Sequence, residues 1–159
     1  MDDRADLLEA LLAVLLEQEA TLGRLVGLAL DEQRALVHSD YAAVERVAGE
    51  LQAAANLLDA HERRRDALIA ALGNPETLGD LVPLAEQDGV AGFAEARLRL
   101  MSSASALRAA QEQNARLIID AVRLRERWYG LLAGIASPTY GARGRQDLGP
   151  GRGLISRSA

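Results

Sequence analysis

The sequence has no cysteine among its 159 residues, so disulfides and thiolate metal sites are excluded, which fits a reducing compartment. Only five residues are aromatic (Tyr41, Phe93, Trp128, Tyr129 and Tyr140), and β-branched residues are sparse, so the composition gives strands little support. No run of eighteen apolar residues occurs, which argues against a membrane-spanning helix. The acidic start (Asp2, Asp3) and Glu9 inside the following apolar run argue against a signal peptide, and a cytoplasmic location is expected. Lysine is absent too. All 18 basic residues are arginine, as a GC-rich coding bias would produce.

What remains is alanine and leucine interspersed with charge, with hydrophobic residues at 49% of the chain. That composition belongs to long helices and coiled coils. The net charge of −5 conceals a gradient. Residues 1–90 carry seven arginines against eighteen acids, whereas residues 91–136 carry seven against four and residues 137–159 four against one. An acidic first half beside a basic second half favours helices packed side by side. The same acidity, with no face of base-stacking aromatics, argues against nucleic-acid binding.

Periodicity divides the chain. Leu8, Leu11, Leu15, Gln18, Leu22, Leu25, Ala29, Glu32 and Leu36 alternate spacings of three and four, the seam of a coiled coil within a helix over about 3–37. A neighbouring stripe (Leu12, Leu16, Val26, Leu30, Val37) widens the apolar face and implies more than one partner helix. His38-Ser39-Asp40 is too short a break to do anything but turn the chain back, and Ser39 or Asp40 can cap the next helix. That second helix, about 41–72, repeats the seam from Val44 to Leu72 and stops at Gly73-Asn74-Pro75. A connector follows, with a short helix expected over 76–86 that Pro83 limits. The third long helix, about 91–135, keeps its three-four spacing from Phe93 to Ile135. Residues 137–159, rich in glycine, read as a disordered tail. The fold class is therefore all-α: an elongated antiparallel helical bundle or coiled coil of three long helices, in one domain over 1–136.

Catalytic and metal patterns are missing. His61-Glu62-Arg63-Arg64-Arg65 opens like a zinc-protease motif, but Arg65 stands where the second histidine is needed. His61 on the seam reads as a buried polar residue with a bonded partner. Ser102, Ser103 and Ser105 lie within a helix and on no strained turn, and no phosphate loop exists. Asn114 reads as a register-setting polar residue on the seam. Gly23-x-x-x-Gly27 and Gly130-x-x-x-Gly134 would allow close backbone approach. No cofactor, metal or catalytic group is expected.

The end of the third helix differs from the rest. Leu117, Ile118, Ile119, Val122, Leu124, Trp128, Tyr129, Leu131, Leu132 and Ile135 set apolar side chains nearly all round it. One stripe suffices to close a bundle, so the surplus suggests a ridge for a partner, anchored by Trp128 and Tyr129.

These features resemble the flagellar export chaperone family FlgN over about residues 5–144. The resemblance is carried by Leu-Leu-Glu-Gln-Glu in the first helix, Asp40 opening the second, and Glu62-Arg63-Arg64-Arg65 and Leu72-Gly73 closing it. Thr77-Leu78 in the connector, Asn114-Ala115-Arg116-Leu117-Ile118 in the last helix, and Tyr140 with Gly144 beyond it complete the pattern. Gln111 departs from it, since relatives often have asparagine there. The resemblance implies a cytosolic chaperone that holds hook-associated proteins by their terminal helices, prevents premature assembly, and delivers them to the flagellar export gate. It implies client binding by Leu117, Ile118, Val122, Trp128, Tyr129 and Leu132, and gate docking by Tyr140. The alternative is a coiled-coil scaffold that pairs with itself, and a homodimer is left open.

Overall fold

The computed structural model describes the backbone of residues 2–136, 139–140 and 146–147, and the side chains of residues 3–133. Four α-helices occur among them: α1 (Asp2–Val37), α2 (Tyr41–Ala71), α3 (Val82–Gln87) and α4 (Phe93–Ala136). A 3-10 turn, Leu78–Leu81, leads directly into α3. Thr139–Tyr140 and Gln146–Asp147 pair as two short antiparallel strands, β1 and β2, with Tyr140 opposite Gln146. The expectation of a disordered tail over 137–159 otherwise falls outside the described residues. By compactness the chain divides into two units, Met1–Leu117 and Ile118–Ala159.

In the first unit, the seam read from α1 is the core. Leu8, Leu11 and Leu15 are wholly enclosed, and Gln18, Leu22, Leu25 and Ala29 are buried with them. Each enclosed leucine stabilises the fold by about 1.5–3 kcal/mol relative to an exposed one. The widening stripe was misplaced. Leu16, Leu30 and Val37 are exposed, and Leu12 and Val26 are only partly covered. The second buried row is Val14, Thr21, Leu28 and Ala35, one residue per seven. Thr21 can sit there because its hydroxyl donates to the Glu17 carbonyl at 3.0 Å within its own helix.

The turn between α1 and α2 is built as its residue types require. Ser39 takes a left-handed conformation (φ 55°), and the Asp40 carboxylate accepts from the Ala43 N–H at 3.0 Å, capping α2. The helices then run antiparallel, since Glu17 of α1 meets both His61 and Arg64 of α2. At the far end Gly73 (φ 95°) and Asn74 (φ 53°) reverse the chain, and the Asn74 N–H donates back to the Ile69 carbonyl.

The connector differs from the single helix expected over 76–86. Asp80 accepts from the Thr77 N–H at 2.8 Å and from its hydroxyl at 3.0 Å, which fixes the 3-10 turn. Pro83, the second residue of α3, starts a helix rather than ending one, because a first-turn N–H needs no partner within the helix. Leu81, Ala85, Val90 and Phe93 join the same core as Leu8 and Leu11. Arg4 clamps this arrangement, donating to both Asp88 carboxylate oxygens at 2.6 and 2.5 Å.

That clamp holds the Asp88 carboxyl below its ordinary range, chiefly through the hydrogen bond from Arg4. A depressed carboxyl stabilises the fold above its unfolded-state value and loses that contribution as pH falls through the folded-state value. Asp88→Asn should therefore flatten the acid limb of the stability–pH curve while leaving its alkaline side parallel to wild type. Urea unfolding at a series of pH values reads this directly.

Candidate functional site

The apolar face of α4 has two regimes. Phe93, Ala96, Leu100, Leu107 and Ala110 are buried on one three-four seam, with Ser103 half-buried between Leu100 and Leu107, and the run ends at Asn114, which is 3% exposed. The Asn114 side-chain amide donates to the Ala29 carbonyl at 2.7 Å and to Glu32 Oε2 at 2.9 Å. Its Oδ1 is buried and accepts from none of the described residues. With Asp88 facing Arg4 and Asn114 facing Ala29, residues 88–114 run in the same direction as α1. Asn114 thus fixes the register between α4 and α1 through a bond that a one-turn slip would break.

From residue 118 to 133 every residue is exposed. Of the residues the sequence singled out, Leu117 is half-buried, and Ile118, Val122, Trp128, Tyr129 and Leu132 lie at the surface, with Trp128 56% and Tyr129 65% exposed. Helical geometry sorts them. Ile118, Val122, Tyr129 and Leu132 form one stripe of four- and three-residue steps, interrupted by Arg125 between Val122 and Tyr129. Leu117 and Trp128 belong to the adjoining stripe. Ile118 and Leu132 lie about 21 Å apart along the axis.

Leu124 and Leu131, one turn to either side of Trp128, complete the second stripe. With Arg127 they form a shallow apolar cleft of about 240 Å³ against the indole. The three-four spacing of the sequence already set them beside Trp128, but they were not among the residues singled out for client binding. The flanks are basic, with Arg116, Arg123, Arg125 and Arg127 set against Asp120 and Glu126. Tyr140 lies in β1 with its side chain outside the described residues.

The histidines take structural places. His61 Nδ1 lies 3.3 Å from Glu17 Oε2, the oxygen that also receives Arg64 at 3.2 Å. His38 Nδ1 sits 2.7 Å from the Arg34 carbonyl at the end of α1. Among the described residues no group of three or more acids and histidines is placed to hold a metal ion. No helix among them is long and apolar enough to cross a membrane.

Among the described residues the chain is thus a largely helical protein whose longest helix carries exposed apolar side chains from Ile118 to Leu132. A family model described as FlgN protein matches residues 1–147. The chain belongs to the FlgN family, whose members are flagellar export chaperones. No curated protein and no solved structure matches it.

Proposed function

We propose that the chain is a cytoplasmic chaperone of hook-associated subunits, and that residues 117–132 of α4 receive an amphipathic terminal helix of the client. One observation carries this reading: the three-four seam of α4 is buried as far as Asn114 and continues, equally apolar, through exposed Leu124, Trp128 and Leu131. Together the two adjoining stripes expose apolar side chains over about 21 Å, from Ile118 to Leu132, which matches four turns of a partner helix laid alongside. Contiguous apolar surface of that kind marks a protein-binding site.

Charge narrows the partner further. Four arginines against two acids flank the stripe, so the favoured client helix carries acidic residues beside its apolar face. Tyr140 is proposed to dock at the export gate, a role supported by family likeness alone. Binding the client along α4 hides the helix through which subunits would otherwise assemble, and release at the gate exposes it again.

Trp128 is the expected anchor, because a large rigid side chain flanked by two leucines loses little conformational freedom on binding. Trp128→Ala should weaken a complex with a hook-associated subunit by about 2 kcal/mol, roughly thirtyfold in Kd, while helix content and unfolding midpoint stay unchanged. Isothermal titration and circular dichroism together test this. Wild-type affinity in the variant would remove Trp128 from the site.

A further inference from the structure

The face of α1 turned away from its core carries a seam of its own. Glu9, Ala13, Leu16, Ala20, Gly23, Gly27, Leu30 and Arg34 are all exposed, and they follow one another at alternating steps of four and three. This is the same coiled-coil spacing that buries Leu8 to Ala29 on the opposite side, and among the described residues nothing covers it. Leu16 and Leu30 are 42% and 45% exposed. A side chain built at Gly23 or Gly27 would meet nothing within 4 Å, so no contact among the described residues calls for glycine at either place. Both sit mid-helix, where glycine weakens the helix relative to alanine.

We propose that this face is an interface between two copies of the chain, with the α1 helices crossing antiparallel about a two-fold axis between residues 21 and 22. The choice of occupant comes from self-complementarity. In an antiparallel coiled coil, each position of one seam class meets the other class across the axis. That register sets Ala20 against Gly23 of the second copy, Leu16 against Gly27, Ala13 against Leu30, and Glu9 against Arg34. The two-fold axis repeats each pair. Leu16 with Gly27 and Ala13 with Leu30 join a large side chain to a small one, Glu9 with Arg34 joins opposite charges, and the central Ala20 and Gly23 layers are small on both sides, which lets the backbones approach closely.

A parallel pairing fails on the same residues. It would stack Leu16 on Leu16 and Gly27 on Gly27, so that no glycine receives a leucine, and oppose Glu9 to Glu9 and Arg34 to Arg34. The antiparallel interface runs about 38 Å from Glu9 to Arg34, a continuous two-helix contact. Leu12 and Val26, half-buried beside the seam, lie where they would be covered as well. The interface uses none of residues 117–132, so it is tested separately from the proposed client site.

Sedimentation of the full chain over a range of concentrations tests the proposal, against a mass of 17.0 kDa for one copy. Wild type should reach twice that mass. Leu16→Glu combined with Leu30→Glu, both at positions exposed in the single chain, should remain a monomer with unchanged helix content. Glu9→Arg alone and Arg34→Glu alone should each lose self-association by about tenfold or more, because each opposes like charges. Mixing those two variants should restore the dimer, as each copy then offers what the other needs. A wild-type chain that stays at the mass of one copy at every concentration overturns the proposal. So does a dimer indifferent to the double glutamate variant, or a mixture no tighter than its components.

Discussion

A chain ending at Leu117 should keep its core and lose its client altogether. Every buried residue from Leu8 to Asn114 is retained in that truncation, including both the Arg4–Asp88 clamp and the Asn114 bonds to α1. Only exposed side chains and the segment beyond them are removed, so the unfolding midpoint should move little. The proposed client surface, in contrast, loses Ile118, Val122, Trp128, Tyr129 and Leu132 together. The expected result is a folded protein with no measurable affinity for a hook-associated subunit. Size-exclusion co-elution with urea melts of the same sample checks both halves. Binding that survives in the folded truncation would place the client elsewhere.

The second large effect concerns Asn114. Asn114→Asp preserves shape but exchanges the donating amide for an acceptor, aimed at the Ala29 carbonyl and the Glu32 carboxylate. Two carboxylates would then share a mostly enclosed site. The variant should lose about 3 kcal/mol of stability near neutral pH. The sign with pH is fixed by the chemistry. Burial and the like charge raise the new carboxyl above its unfolded value, so the penalty is greatest above that raised value and shrinks as the group is protonated. Urea midpoints at about pH 7 and about pH 4.5 should converge on wild type at the lower value. An equal penalty at both would show that lost packing, not charge, is responsible.

The long helices were legible because a coiled-coil seam repeats the same signal many times. Leu8 through Ala29 appear in the core as read, and both turns fall where Ser39, Asp40, Gly73 and Asn74 put them. The second face of α1 was not legible. Thr21 and Ala35 carry weak apolar signal, whereas Leu16, Leu30 and Val37 carry a strong one, so hydrophobicity pointed to the wrong side. Tertiary packing chose the row by shape, with a threonine that satisfies itself and an alanine small enough for close approach. The connector misled for a related reason. Apolar spacing at Leu78, Leu81 and Ala85 suited one continuous helix, but Asp80 bonding back to Thr77 tightened the first turn and Pro83 restarted the second. In the candidate site, the apolar character of residues 117–132 could be read from sequence, and their exposure could not. Period alone does not distinguish a seam that is covered from one that waits.

The two neighbours of α1 are joined to it with very different economy of chain. α2 meets it across a three-residue turn, so that pairing is local and costs little loop entropy, while Asn114 must return across 85 residues to reach Ala29. α4 also buries only one side, from Phe93 to Asn114, whereas α1 buries two rows. Loop entropy alone accordingly favours forming the hairpin of α1 and α2 before α4 docks. The helix proposed to carry cargo is thus also the one whose place in the core depends on the longest return of chain.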